Sequence, residues 1–318
     1  MLPSLHRIYP LCACCKLEPR IAACDQYPNI EVLLDSQLVE LSGKVGDFKA
    51  TLETGGEKKQ LDVGAVILAT GIETFDPTGQ DTYPYGLNSN VVTSVEYEQL
   101  QKPLGPNAGI LKRPSDDKKP ERIAWLQCVG SRDINHCDAP YCSSVCCMYA
   151  LKEAVNTKEF DEDIETTIFY MDMRTHGKNF EDYLNNAIEK DVRLIRSRVH
   201  TVDTDTGSDN LMISYADEKG EGHSEAFDMV VLSVGLKPSS QTEQIANMVG
   251  LNLTPDQFIG CEPFKPVSTN VPGIFVCGGT AGPNDIGQSV IQASASASEV
   301  AAVIDPEPFA LPLQYPEP

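Results

Sequence analysis

Residues 64–71 read Gly-Ala-Val-Ile-Leu-Ala-Thr-Gly, a buried β-strand pattern that runs into a glycine turn. The same arrangement recurs in Val231-Leu-Ser-Val-Gly235 and in Pro272-Gly-Ile-Phe-Val-Cys-Gly278-Gly279, and a long Ala/Ser-rich helix is predicted over Ile286–Ile304. Each segment alone is a weak signal, because apolar strands that end in glycine are common. In this order, glycines that allow close backbone approach indicate an α/β fold around a nucleotide-containing cofactor.

A second unit is predicted over residues 123–195, with the order strand, helix, strand, helix, strand. Its elements are Ile123–Gln127, Cys142–Asn156, Thr166–Met171, Lys178–Lys190 and Val192–Ile195. This βαβαβ order is the wiring of a nucleotide-binding half-fold. Earlier strands are predicted at Ile30–Leu34, Leu38–Leu41 and Phe48–Leu52.

The composition limits the class of partner. With 46 acidic and 25 basic residues the formal net charge is −21, and nucleic acid or an anionic membrane surface repels such a protein. No apolar run approaches the roughly 20 residues of a membrane helix, and the start of the chain lacks the apolar region of a secretory signal. We therefore expect a cytoplasmic protein without a membrane span that binds no nucleic acid.

The chain has eleven cysteines, and in a reducing compartment clustered cysteines more often bind metal or carry out redox chemistry than form disulfides. The strongest group is Cys128 followed by Cys142-Ser-Ser-Val-Cys146-Cys147. Four thiolates are the ligand set of a [4Fe–4S] cluster or of tetrahedral zinc; buried, inert cysteines are the third interpretation. Because Cys147 is adjacent to Cys146, a common centre requires an irregular first helical turn or a position at the helix tip.

The glycine motif of a nicotinamide-binding domain is missing from this unit. Such a domain needs Gly-x-Gly-x-x-Gly after its first strand, so that the backbone approaches a pyrophosphate. Here the turn reads Cys128-Val-Gly-Ser-Arg-Asp133, and the pair Gly220-Glu-Gly222 lies in an acidic hairpin with no helix after it. A metal centre is therefore predicted where the dinucleotide would lie.

Three stretches resemble the HdrA-like family, the A-type subunits of heterodisulfide reductase and their relatives, which include the A-type component of quinone-interacting membrane-bound oxidoreductase. They are Leu126-Gln-Cys-Val-Gly-Ser-Arg-Asp133, Tyr141-Cys-Ser-Ser-Val-Cys-Cys-Met-Tyr-Ala150 and Ile291-Gln-Ala-Ser-Ala-Ser-Ala297. The similarity runs from about Leu5 to Ile304, and the cysteine segment is its most specific part. It implies a Rossmann-like α/β flavoprotein of the thioredoxin-reductase type, with two dinucleotide-binding domains and an iron–sulfur site in the second.

The resemblance also implies the cofactors and the residues that bind them. FAD and one [4Fe–4S] cluster are expected, with the cluster ligands at Cys128, Cys142, Cys146 and Cys147. Lys152 is expected near the flavin N5 edge, where a lysine stabilises the negative charge of a reduced flavin. Further flavin contacts are expected at Ala69, Thr70, Gly71, Gly278, Gly279, Asp285, Ile286, Gln292 and Ala293. The family usually has an acidic residue after the turn at Gly278. This chain has Gly279 at that position, and Asp285 is expected to take over the role of the missing acidic residue.

By the same resemblance, residues 1–115 form the first part of the FAD-binding domain and residues 116–240 an inserted NAD-domain-like unit with the cluster. Residues 241–305 form the second part, and 306–318 are a proline-rich tail. Two features of the family are missing: a ferredoxin domain ahead of Ile67–Gly71, and the glycine-rich βαβ unit that holds the FAD pyrophosphate. We expect the sequence to be N-terminally incomplete.

The preferred function is an oxidoreductase component that relays electrons between FAD and partner iron–sulfur subunits. Those partners would be heterodisulfide reductase B- and C-like, hydrogenase or quinone-linked subunits, and a homodimer is a further possibility. The alternatives are an NAD(P)H-dependent disulfide reductase, which the missing glycine motif disfavours, and a zinc-stapled scaffold protein. Four early cysteines form a weaker candidate for a second site: Cys12, Cys14, Cys15 and Cys24.

The missing glycine-rich loop predicts weak flavin retention. Pyrophosphate contacts are charge-assisted hydrogen bonds worth roughly 1.5–3 kcal/mol each, and each loss of about 1.4 kcal/mol weakens binding about tenfold. The chain expressed alone is therefore expected to purify with little FAD, measured by absorbance after release of the flavin. A fused βαβ segment with a Gly-x-Gly-x-x-Gly loop should restore stoichiometric FAD. Full occupancy in the 318-residue chain would contradict this expectation.

Overall fold

The computed structural model describes residues 14–305, apart from residues 103, 104, 106, 108 and 206. Cys12 and the predicted tail at 306–318 lie outside the described residues. The chain forms two compact units. The first contains the described residues up to Glu31 together with Thr74–Lys237, and the second contains Val32–Glu73 and the described residues from Pro238 onward.

The first unit is built on a five-stranded parallel sheet. In chain order its strands are β6 (Val91–Thr93), β7 (Arg122–Val129), β8 (Glu165–Tyr170), β9 (Arg193–Arg196) and β13 (Met229–Val234). Their order across the sheet is β6-β13-β7-β8-β9. The chain thus moves from β7 in one direction through β8 and β9, and returns on the other side of β7 as β13. Such a reversal is the topological switch point of a doubly wound fold.

Alternate residues of β7 pack on opposite faces of this sheet, as the two-residue period of a strand requires. Ile123 and Trp125 belong to one buried cluster, and Ala124 and Leu126 to the other. Tyr97 packs edge-to-face on Trp125 at 5.2 Å between ring centroids. Both faces are covered, which explains why β13 is buried along its whole length and apolar at five of its six residues.

Helices and a small antiparallel sheet complete the first unit. The helices are α1 (Cys14–Gln26), α2 (Ser94–Gln101), α3 (Ile134–Cys137), α4 (Cys146–Phe160) and α5 (Glu181–Glu189). The antiparallel strands are β10 (Val202–Thr204), β11 (Leu211–Ala216) and β12 (Gly222–Phe227). None of the described helices combines the length and the hydropathy that a bilayer-spanning helix requires.

The second unit begins with an antiparallel meander of β1 (Ser36–Lys44), β2 (Asp47–Thr54) and β3 (Glu57–Val63). Its parallel pair is β4 (Val66–Leu68) and β15 (Ile274–Val276). Its helices are α6 (Thr242–Val249) and α7 (Ile286–Ile304), and Gly278–Thr280 forms one 3-10 turn. Two short strands, β5 (Ile72–Thr74) and β14 (Leu236–Pro238), lie where the chain passes between the units.

Several predicted boundaries differ from these elements. The predicted strand at Ile30–Leu34 is wrong: these residues are outside any strand, and the meander starts at Ser36. Residues 74–115 group with the first unit, because β6 pairs with β13, whereas the predicted domain boundary lay at 115. The assignment of a cofactor to each domain stays a prediction.

One ion-pair network in the first unit gives the fold a pH dependence. The Glu225 carboxylate accepts two hydrogen bonds from Arg193, at 2.6 and 2.7 Å, and others from Tyr215 and Arg122 at 2.6 and 2.8 Å. The hydrogen bonds from Arg193 are the main cause that lowers the pKa of Glu225 from 4.5 to about 2. A carboxylate with a lowered folded-state pKa stabilises the fold above its unfolded pKa, and that stabilisation is lost as the pH falls.

We therefore expect Glu225→Gln to lower the Tm most near neutral pH. The difference from the native chain should shrink as the pH falls from 4.5 toward 2, measured by thermal unfolding at a series of pH values. Glu218→Gln is the matched control, because Glu218 is 67% exposed and contacts Arg196 at 3.4 Å. An effect of E225Q no larger than that of E218Q at neutral pH would contradict the role of this network.

Candidate metal centre

The candidate site lies at the carboxyl edge of the parallel sheet, where β7 and β13 reverse the order of the fold. Ligands bind at such switch points because the loops after neighbouring strands diverge there and leave a crevice. Cys128 is the last residue but one of β7, and Val234 ends β13. Gly235 follows, and a side chain there would lie 2.7 Å from the Gly130 carbonyl oxygen and 2.8 Å from Ser143 Oγ. A glycine is therefore required for the two loops to meet.

The other three candidate ligands lie at the start of α4. The helix begins at Cys146, and not at Cys142 as the sequence predicted, because Ser144 has a left-handed backbone with φ of 64°. Cys142 is thus in the loop before the helix, while Cys146 and Cys147 are its first two residues. This arrangement places the cysteines around the helix tip, which is one of the two solutions that their spacing required.

The four thiols are close enough to affect one another electrostatically. Burial raises the pKa of Cys146 to about 12 and that of Cys147 to about 11, and it also raises the pKa of Cys128. In addition, Cys142 raises the pKa of the other three thiols, and Cys128 raises those of Cys146 and Cys147. The sequence-predicted ligands are therefore one group in space.

The spacing of the sulfurs is wider than a single zinc ion requires. Zinc bound to four thiolates at about 2.3 Å brings the sulfurs to within about 4 Å of one another. Among the described residues, the one group of three metal-binding side chains within 4.8 Å of one another is Asp217, Glu221 and His223, at the exposed acidic hairpin. No three of the four cysteine sulfurs lie within that distance of one another.

Backbone donors and a helix end favour negative charge on these sulfurs. The Ser144 N–H donates to Cys142 Sγ at 3.4 Å, and the Arg174 backbone N–H lowers the pKa of Cys147. Val145, the N-cap of α4, makes no side-chain capping hydrogen bond. The N-terminal amide groups of a helix carry partial positive charge, so the first turn of α4 is suited to anionic ligands.

Two residues near the thiols have contacts that spacing alone did not reveal. Tyr149 donates from its hydroxyl to the Val234 carbonyl oxygen at 2.5 Å, which fixes α4 to the end of β13. Arg132 donates to the Asp172 carboxylate at 2.7 Å, and its charge opposes the burial that raises the pKa of Cys128. Arg132 lies within the family-like stretch 126–133, in the loop after a strand. That position is the one feature of the sequence that could have indicated a functional role for this residue.

The residues expected to contact flavin belong to the second unit, apart from Lys152. The Gly71 N–H donates to Thr280 Oγ1 at 2.9 Å, and Thr70 Oγ1 lies 3.2 Å from the same atom. The Gly278 N–H donates to Gln292 Oε1 at 2.8 Å. Ala69–Gly71, the turn at Gly278–Thr280 and the first half of α7 are thereby brought together.

The remaining predicted flavin contacts have the following positions. Asp285 is the N-cap of α7, and its carboxylate accepts from the Gln288 N–H at 2.7 Å. Gly279 is tightly packed, since a side chain there would lie 2.7 Å from Ile72 Cγ2. Ile286 and Ala293 are exposed on α7. Lys152 is half-buried on α4 in the first unit, next to the buried Glu153.

Comparisons with known proteins identify the family of this chain. The profile of the pyridine nucleotide-disulphide oxidoreductase family matches residues 15–299. An A-type iron-sulfur subunit of CoB–CoM heterodisulfide reductase from Methanopyrus kandleri is 42% identical over 247 residues, which are 76% of this chain and 38% of the relative. The A-type subunit of H(2):CoB-CoM heterodisulfide,ferredoxin reductase from Methanothermobacter thermautotrophicus is 35% identical over 289 residues, 89% of this chain and 42% of the relative.

This chain belongs to the HdrA-like family of heterodisulfide reductase subunits, within the pyridine nucleotide-disulphide oxidoreductases. It spans less than half the length of the two relatives. The thioredoxin reductase of Lactococcus lactis has the same fold, with a TM-score of 0.52 and 17% identity over 85% of this chain and 74% of that chain. The predicted α/β fold of the thioredoxin-reductase type is therefore confirmed, and the iron–sulfur site within it stays a prediction.

Proposed function

We propose that this HdrA-like chain is a FAD- and [4Fe–4S]-containing electron-transfer component of an oxidoreductase complex. The observation that carries the proposal is the group of four thiols at the switch point of the first unit. A dinucleotide-binding fold normally holds a pyrophosphate on a glycine-rich loop at this place. Here Cys128 occupies the corresponding position, with a left-handed φ of 64°.

The residues present fit an iron–sulfur cluster. Cys128, Cys142, Cys146 and Cys147 would supply the four thiolates that a [4Fe–4S] cluster needs. A buried nitrogen of Arg132, Nη1, makes no hydrogen bond to any described residue, and the sulfur atoms of a cluster are acceptors for such a donor. The start of α4 adds partial positive charge beside an anionic group.

The proposed division of labour follows from the chemistry of the two cofactors: a flavin exchanges electron pairs, and an iron–sulfur cluster exchanges single electrons. The role proposed for the chain is to position the cysteine ligands, to limit the access of water to the cluster, and to set the electric charge around it. Cys146 and Cys147 are 6% and 7% exposed and are therefore shielded from water, whereas Cys128 and Cys142 are partly buried. Lys152 is proposed to place its positive charge toward the flavin, which is the catalytic role that the family resemblance assigns to it.

The second unit is proposed to hold the flavin. Gly71 has a left-handed φ of 79°, and a side chain at this position would meet no atom within 4 Å. The turn after β4 is therefore open for close approach by a cofactor. Thr280 and Gln292 fix the backbone around it through their hydrogen bonds to Gly71 and Gly278.

The proposed partners are further iron–sulfur subunits of a redox complex. The names of the relatives describe them as subunits of heterodisulfide reductases. By analogy we propose heterodisulfide reductase B- and C-like subunits, or hydrogenase or quinone-linked subunits, as the electron-transfer partners. We also propose a cytoplasmic location.

Replacement of one ligand tests the proposed cluster. Cys146→Ser is expected to lower the iron content of the anaerobically reconstituted chain by about four atoms, because a cubane with a missing ligand is lost as a unit. Iron and sulfide are measured chemically, and circular dichroism confirms that the variant is folded.

Cys137→Ser is the matched control. Cys137 lies in the same stretch and is partly buried, but its Sγ donates to the Asp133 carbonyl oxygen at 3.0 Å. This variant should keep its iron. Full iron retention in C146S, or equal loss in C137S, would contradict the ligand assignment.

A further inference from the structure

Arg132 is held in one position by contacts of its backbone and of its side chain. It follows β7 in a left-handed conformation with φ of 56°, and its backbone N–H donates to the Tyr141 carbonyl oxygen at 3.0 Å. Its Nη2 atom donates to Asp172 Oδ2 at 2.7 Å. Because β7 and β8 are parallel neighbours, Arg132 and Asp172 emerge at the same edge of the sheet.

Asp172 contacts both Arg132 and one of the thiols. Its backbone carbonyl oxygen accepts from Cys147 Sγ at 3.7 Å, and its carboxylate also contacts Arg196 at 3.5 Å. The Arg132 side chain is 22% exposed, whereas that of Arg196 is 55% exposed. The two arginines therefore share a partner but differ in burial.

One nitrogen of the Arg132 guanidinium remains available as a hydrogen-bond donor. Nη1 is buried and makes no hydrogen bond within the part of the chain that the structure describes. A buried donor without an acceptor is destabilising, because it has lost its hydrogen bonds to water. Burial lowers the pKa of Arg132, but a hydrogen bond to Asp172, the charges of Cys128 and Asp172, and a weaker hydrogen bond to Cys128 outweigh it and raise that pKa. The unpaired nitrogen thus belongs to a side chain that is close to the cysteine group.

We propose that Arg132, oriented by Asp172, donates a hydrogen bond from Nη1 to the cluster and raises its reduction potential. This inference rests on the proposed function and goes beyond it, because it names the residue that sets the potential. Uptake of one electron makes the cluster more negative by one charge. A fixed positive charge that is largely shielded from water stabilises this reduced form more than the oxidised form.

The test is an EPR-monitored redox titration of the anaerobically reconstituted full chain. In Arg132→Gln, the ratio of reduced to oxidised cluster at a given potential should fall about tenfold, which corresponds to a midpoint about 59 mV lower for one electron. Arg132→Lys keeps the charge and should lie between the native chain and R132Q. The midpoint potential is a readout that a purely structural role would not move.

Arg196→Gln is the matched control, since it removes one arginine from the same aspartate at a more exposed position. Its shift should be clearly smaller, because water and salt screen an exposed charge. If R132Q keeps its iron and its midpoint moves no more than that of R196Q, the inference is overturned. R132Q could instead lose its iron, and R132K then decides. If R132K keeps the cluster at a midpoint close to that of the native chain, the proposed role of Arg132 is supported. If both variants lose the cluster, the inference is overturned. A native chain that takes up no iron contradicts the proposed function instead.

Discussion

The close approach of two loops at Gly235 is the constraint on which the site depends. A side chain at this position would overlap the Gly130 carbonyl oxygen and Ser143 Oγ, so the absence of a side chain brings the ends of β7 and β13 and the loop before α4 to one point. Ser143 Oγ accepts from the Leu236 N–H at 2.8 Å and fixes this contact. The thiols are close together because the backbone segments that carry them are themselves held close together.

This arrangement has a cost in free energy, which a bound metal centre would offset. Cys128, Arg132 and Ser144 all have left-handed backbones, and each such residue costs about 1–2 kcal/mol relative to a right-handed one. Burial keeps Cys146 and Cys147 protonated, with pKa values of about 12 and 11, although metal ligation requires thiolates. Formation of the proposed cluster is therefore expected to release protons. A strained and partly desolvated thiol group is more typical of a functional site than of a core.

The sequence predicted the parts of the fold that local pattern decides. The helix Ile286–Ile304 has the predicted bounds, because its Ala-rich run and the Asp285 cap are local signals. The polar strand Glu57–Val63 has no apolar alternation, and its place comes from pairing with β2. The cysteine group followed from spacing and family resemblance, whereas the start of α4 at Cys146 depends on the backbone of Ser144. The position of Arg132 could not be predicted, because it results from tertiary contacts with Asp172 across neighbouring strands.

Metal and sulfide analysis of the anaerobically reconstituted chain shows directly whether the four cysteines hold an iron–sulfur cluster. We expect about four irons and about four sulfides per chain, little zinc, and an EPR signal that appears on reduction. A colourless protein with one zinc per chain and no sulfide would contradict it, since the four cysteines would then form a structural staple.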